Sequence, residues 1–179
     1  MVLPSNPTAG SAQGTSLIRL GGPTPGTAAT IDVVFPAMHG TFCEDGTIQG
    51  LLEMADVPYV GCGVLASAVG MDKEVAKRLA RDAGIPVVPY VSLKRDVWLR
   101  TKTQAAAKIQ SELGYPVFVK PVNAGSSVGV HKVKTPGELE AALLDAFRYD
   151  VKALVEKAVS AREIELAVLE NPDPGLEPL

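Results

Sequence analysis

Residues 117–130 read Val-Phe-Val-Lys-Pro-Val-Asn-Ala-Gly-Ser-Ser-Val-Gly-Val, and this stretch limits the fold more tightly than any other in the chain. Val117, Phe118 and Val119 are consecutive strand-forming apolar residues, which predicts a strand covered by protein on both faces. Lys120 leaves that strand directly, and Pro121 removes a backbone donor that would prolong the pairing. Asn123-Ala-Gly-Ser-Ser127 then offers amides and hydroxyls with little bulk, before a second strand over Val128 to Val133. A cation beside such a loop suits phosphate oxygens. The segment alone leaves a second reading open, an ordinary hairpin with a solvated lysine. The Walker pattern Gly-x-x-x-x-Gly-Lys-Ser/Thr is absent.

The surrounding sequence alternates short strands with amphipathic helices. Ile31-Asp-Val-Val-Phe reads as a buried strand ending at Pro36, and Val57-Pro-Tyr-Val as another. Between them Ile48, Leu51, Leu52 and Ala55 make a helical stripe, with Glu44 and Asp45 where a helix N-terminus favours negative charge. That order suggests the end of a parallel α/β sheet. Ala76, Leu79, Ala80 and Ala83 form the stripe of the next helix, which stops at Gly84. Lys73 lies nearest this stripe, whereas Lys77, Arg78 and Arg81 turn towards solvent. A snorkelling surface position is the alternative for Lys73. Further strands are expected over Val87–Ser92, Ala153–Lys157 and Glu163–Leu169, and a helix over Thr103–Leu113. Thr135-Pro-Gly-Glu138 has capping-box spacing and opens a helix burying Leu139, Ala142, Leu143, Ala146 and Phe147.

The bulk numbers exclude some classes. A net charge of −3 argues against a nucleic-acid-binding surface. Cys43 and Cys62 have neither metal-ligand nor disulfide-framework spacing and are expected to be buried or half-buried thiols. Met1-Val-Leu-Pro-Ser-Asn-Pro7 lacks a signal-peptide pattern, and the longest uncharged run, Val57–Met71, is too short to span a bilayer. The default expectation is a soluble cytoplasmic protein without membrane partners. Residues 1–30, rich in Pro, Gly, Ser, Thr and Ala, are expected to be a poorly ordered tail.

Four elements then fall in a specific order: Met71-Asp-Lys73, Val119-Lys120-Pro121, Gly125-Ser126-Ser127-Val-Gly129, and Leu154-Val-Glu156-Lys157 with Glu163 behind it. Together with His39-Gly…Glu44-Asp-Gly-Thr-Ile-Gln-Gly-Leu-Leu-Glu53, they make the chain resemble the D-alanine–D-alanine ligases of the ATP-grasp superfamily from about Ile31 onward. The resemblance implies α/β architecture with α+β lobes. An ATP-grasp central domain (64–155) would follow the remnant of a Rossmann-like pre-ATP-grasp domain (31–63), and 156–179 would begin a C-terminal subdomain. It implies that Lys73 and Lys120 contact ATP phosphates, and that Gly125, Ser126 and Ser127 cover them. Ser126 would also orient substrate, and His39 would stand near the substrate carboxylate. Glu156 would accept from the adenine amine, the backbone of Lys157 and Val159 would read the base edge, and Glu163 would bind ribose. Taken singly, Glu156 and Glu163 also read as edge-strand charges, and His39 as a loop residue capping the Glu44-Asp45 helix.

The implied reaction is ATP-dependent joining of two D-alanine molecules through an acyl phosphate, a step of peptidoglycan precursor and cell-wall synthesis. Mg2+ or Mn2+ is expected for the complete enzyme. Its usual ligands, an aspartate and a Glu-x-Asn pair, have no match after Val155, and residues 1–30 hold no acidic residue to match the family's substrate-anchoring glutamate. The expectation is therefore a truncated form, inactive alone, with metal ligands beyond residue 179. Cys43 stands where the family pattern usually has glycine. A D-lactate- or D-serine-accepting ligase, a carboxylase-type ATP-grasp enzyme and a catalytically dead ATP-binding module are the alternatives. Family members are commonly dimers, which leaves a homodimer open.

Overall fold

The computed structural model describes residues 15–16, 30–169, 171 and 175. Its organising unit is a four-stranded antiparallel sheet ordered β3-β6-β4-β5. The strands are β3 (Tyr90–Lys94), β4 (Val117–Pro121), β5 (His131–Val133) and β6 (Lys152–Lys157). Two helices, α4 (Arg95–Glu112) and α5 (Leu139–Ala146), complete this unit. Ile109 of α4 and Leu143 of α5 are fully buried with Val117, Val119, Val133 and Val155 of the sheet. The five apolar residues expected on the α5 face, Leu139 to Phe147, are all buried. Glu138 accepts from the Lys134 amide and the Thr135 hydroxyl beside the short 3-10 turn Pro136–Glu138, but the Thr135 side chain caps no amide, so the anticipated capping box does not close.

Strand periodicity decides what β4 does with its side chains. Val117, Val119 and Pro121 point into the core, while Phe118 and Lys120 are half-buried on the opposite face. The expectation of protein on both faces therefore needs correction: the second face lines an open cleft. β6, the strand between β3 and β4, is buried from Ala153 through Glu156.

Several boundaries differ from those expected. α4 starts eight residues earlier than Thr103, because two helices join across Thr101, whose φ of −130° and ψ of 31° are non-helical. The strand expected over Val87–Ser92 sits at Tyr90–Lys94, where β6 supplies partners, and the hairpin's second strand shortens to His131–Val133. Glu163–Leu169 forms no strand: it is exposed and lacks a ladder partner among the described residues, despite its alternating pattern. A strand needs a neighbour as well as a suitable sequence.

The preceding segment holds α1 (Thr47–Met54), α2 (Val64–Met71) and α3 (Lys73–Asp82). Val34 and Tyr59 make a single parallel bridge around α1, so the two strands expected there reduce to one contact. Val33 and Phe35 are 54% and 74% exposed, against the expectation of a buried strand, and Leu51 and Ala55 leave the α1 stripe exposed. Too few described elements pack there to cover these faces. Within the expected tail, β1 (Thr15–Ser16) pairs with β2 (Thr30–Ile31), since a backbone ladder needs no apolar periodicity. The rest of 1–30 lies outside the described residues. Cys43 is half-buried as expected, but Cys62 is exposed. Among the described residues no helix is long and apolar enough to cross a membrane.

Candidate functional site

The cleft face of the sheet and the start of α3 enclose an open cavity of about 660 Å³. α3 begins where Asp72 accepts from the Val75 amide, an N-cap that fixes Lys73 as the first helical residue. At the other end Gly84 takes a left-handed conformation, with Gly84 N–H donating to Arg81 O and Ile85 N–H to Ala80 O. Lys73 Nζ reaches Ala124 O at 2.5 Å and Val122 O at 3.2 Å, tying α3 to the root of the 124–128 loop. Burial, then the neighbouring charge of Lys120, hold the Lys73 amine below its ordinary pKa. The two ammonium groups repel one another, and a polyanion held by both would relieve the repulsion.

Lys120 comes off the cleft face of β4, two residues after Phe118. Phe118 lies opposite Glu156 of β6, and Glu156 lies opposite Tyr90 of β3. This register sets Lys120 diagonal to Glu156, within reach of a long side chain. Lys120 Nζ pairs with Glu156 Oε2, and Lys77 Nζ stands 2.7 Å from Oε1. The Oε1 atom accepts no hydrogen bond, so the Lys77 contact is an ion pair without hydrogen-bond geometry. Glu156 is only 8% exposed.

The loop after β4 is held from below. Asp150 Oδ2 accepts from both the Asn123 amide (2.7 Å) and its side-chain nitrogen (3.0 Å). Ser126 and Ser127 adopt positive φ of 49° and 57°. Val128 donates to Gly125 O and Val130 to Ser127 O. Among the described residues the amides of Gly125, Ser126 and Ser127 donate to no backbone carbonyl, which leaves three N–H groups for a ligand.

Lys157, Val159 and Glu163 also line the cleft. Lys157 N–H donates to Pro89 O at 3.0 Å. An antiparallel pair of this type normally exchanges two bonds, but Pro89 has no N–H to return, so the Lys157 carbonyl accepts no bond from it. The expectation that the Lys157 backbone reads a base narrows accordingly to its carbonyl. Val159 N–H has no partner among the described residues.

All nine residues expected to bind nucleotide thus line one cleft, with Lys120 and Glu156 paired within it. His39 does not join them. It lies in an adjacent cavity of about 490 Å³ that shares Gly70 and Met71 with the cleft, 85% exposed and 3.9 Å from Glu44. Ser126 borders both the cleft and a small cavity lined by Gly40 and Thr41, so the two loops meet there. Among the described residues no group of three or more His, Cys, Asp or Glu could hold a metal. Sequence reasoning missed Lys77. It expected this residue in solvent, but the side chain is 20% exposed and turned onto Glu156. Its position one turn after Lys73 was the available signal.

The family model for the D-ala D-ala ligase N-terminus matches residues 9–62, and that for the C-terminus matches 79–179. The D-alanine–D-alanine ligase A of Bradyrhizobium diazoefficiens is 65% identical over 83% of this chain, which covers 40% of that protein. The ligase A of Chromobacterium violaceum is 60% identical over 82% of the chain and 39% of its own length. The chain thus spans about 40% of the length of the relatives it matches. The solved D-alanine–D-alanine ligase of Coxiella burnetii superposes with a TM-score of 0.73 at 42% identity, covering 82% of this chain and 43% of that one. A D-Ala:D-Ser ligase from Enterococcus faecalis gives 0.67 at 44% identity, covering 74% and 38%. Matched in order to both halves of one enzyme's sequence, and sharing the ATP-grasp fold of its solved relatives, the chain belongs to the D-alanine–D-alanine ligase family.

Proposed function

We propose that the cleft binds ATP, and that the protein containing this chain joins two D-alanine molecules through an acyl phosphate. The observation that carries this reading is what shares the one cleft. Lys73, Lys120, three loop amides that donate to no backbone carbonyl among the described residues, and the carboxylates Glu156 and Glu163 all line it. Phosphoryl transfer needs positive charge and N–H donors where negative charge moves between oxygens. Adenine and ribose offer donors, which suit the two carboxylates. In this reading Lys73 and Lys120 neutralise the triphosphate, and Gly125, Ser126 and Ser127 cradle it. Glu156 accepts from the adenine amine, the Lys157 carbonyl and Val159 N–H meet the base edge, and Glu163 holds ribose.

In the reaction, the carboxylate of one D-alanine attacks the terminal phosphorus and ADP leaves. The amine of the second then attacks the acyl carbon, expelling phosphate and losing a proton as the peptide bond forms. Ser126, at the meeting of the two loops, orients substrate, and His39 faces its carboxylate from the adjacent cavity. Loop 124–128 excludes the water that would hydrolyse the acyl phosphate. Mg2+ or Mn2+ would add charge neutralisation on the phosphates. The described residues do not fit such an ion, and no step is assigned to it here. The use of ATP and of free amino acids suits a cytoplasmic enzyme.

Calorimetric titration of ATP into the purified chain tests the reading. Lys120→Ala should weaken binding about tenfold or more, because a charge-assisted phosphate contact is lost. Equal affinity in the two proteins would rule out the phosphate assignment.

A further inference from the structure

Glu156 carries two ammonium partners, and only one of them belongs to the cleft. Lys120 lines the cavity and pairs with Oε2, while Lys77 stands behind the carboxylate, 2.7 Å from Oε1. Lys77 is fixed there by α3, one turn beyond Lys73, and its ammonium also lies 5.6 Å from the centre of the Tyr90 ring. Tyr90 is the cross-strand partner of Glu156, so one strand register positions both groups that Lys77 touches.

The nucleotide reading makes two demands on Lys120. It pairs with Glu156, and in that reading it also faces phosphate. When it turns, a carboxylate that is 8% exposed loses a counter-ion. An uncompensated buried charge is costly, and Lys77 is the counter-ion that remains beside it.

We propose that Lys77 is a positioning residue that holds the Glu156 carboxylate aimed at the base when Lys120 faces the phosphates. It touches neither base nor phosphate and acts through the carboxylate. This inference rests on the nucleotide reading of the cleft. It adds a residue outside the cavity lining, and it predicts an effect on base recognition separate from phosphate affinity.

The test compares ATP with inosine triphosphate, which has a carbonyl oxygen where adenine has its amine. Affinities are measured by calorimetry on the purified chain, for wild type, Lys77→Gln and Lys77→Arg. Wild type should prefer ATP by about tenfold, the scale of a hydrogen bond to a charged group. In Lys77→Gln the ATP affinity should fall about five- to tenfold while inosine triphosphate binding stays within about twofold, so the preference narrows by that factor and only the share from the Lys157 carbonyl and Val159 N–H remains. Lys77→Arg should retain the preference.

An unchanged preference in Lys77→Gln, or equal loss for both nucleotides, would overturn the role of Lys77 while leaving the nucleotide site intact. Should Lys77→Gln fail to fold by circular dichroism, Lys77→Arg decides, and its loss of preference overturns the proposal. Wild type that binds both nucleotides equally removes the Glu156 assignment and this inference with it. Wild type that binds neither removes the nucleotide reading itself.

Discussion

Replacing Lys152 by methionine isolates the ion pairs that hold α3 against the sheet. Lys152 Nζ stands 2.8 Å from Asp72 Oδ2 and 2.9 Å from Glu74 Oε2, with the three side chains 17%, 18% and 19% exposed. Asp72 caps α3, and Lys73 follows it directly, so this cluster fixes the start of the helix that bears the phosphate-facing lysine. Methionine keeps the apolar stem and deletes the charge, leaving two half-buried carboxylates beside one another. Breaking a deeply buried pair costs several kcal/mol and an exposed one less than 1. At this intermediate burial the loss should be about 2 kcal/mol at pH 7.

Burial alone would raise both carboxyls. The Lys152 ammonium outweighs it, with help from Val75 N–H at Asp72 and the Ser92 hydroxyl at Glu74, so both lie below their ordinary values of 3.8 and 4.5. A lowered carboxyl contributes stability above its unfolded pKa and loses it as pH falls through the folded one. Lys152 is raised above 10.5 although burial opposes this, because Asp72 and Glu74 stabilise its charge. Its share is whole below 10.5 and disappears as pH climbs through the folded value. Urea denaturation followed by circular dichroism at pH 7 and in acid gives the readout. The difference between wild type and Lys152→Met should be about 2 kcal/mol at pH 7 and should shrink below about 0.5 kcal/mol once both carboxyls are protonated. A difference that is equally large in acid, or below about 0.5 kcal/mol at pH 7, would refute the ionic account.

Two further substitutions probe the core and the loop. Leu143→Ala, at a fully buried site between α5 and the sheet, should cost about 2–5 kcal/mol and lower the thermal midpoint without changing the sheet's circular dichroism. Gly129→Ala meets a φ of +67°, with a Cβ 2.6 Å from Tyr149 Cδ2 and 2.9 Å from Pro121 Cγ. The left-handed backbone alone should cost about 1–2 kcal/mol in urea denaturation, and the displaced loop should bind ATP more weakly by calorimetry.

Much of the site was legible because it rests on short-range order. The Val-Phe-Val-Lys alternation, the small-residue loop and the stripe of α5 each follow from a two- or 3.6-residue period, which neighbours in sequence set. Lys73 was readable as an inward lysine for the same reason. Lys77 was not. An angle on a helical wheel says where a Cβ points, but a four-carbon stem goes wherever a buried carboxylate waits, and Glu156 is 79 residues away in sequence. The strand expected over Glu163–Leu169 fails on similar grounds, since alternation specifies a face but supplies no partner.

By itself the sequence determined the family, the order of cationic and small-residue elements, and the residues facing the cleft. Only the tertiary structure decided which charges meet. The register of β6 between β3 and β4 brings Glu156 under Lys120 and beside Lys77, and Pro89 opposite Lys157 leaves a carbonyl without its return donor. Such pairings depend on strand register, a non-local property, and one residue of slip would turn every one of these side chains to the other face.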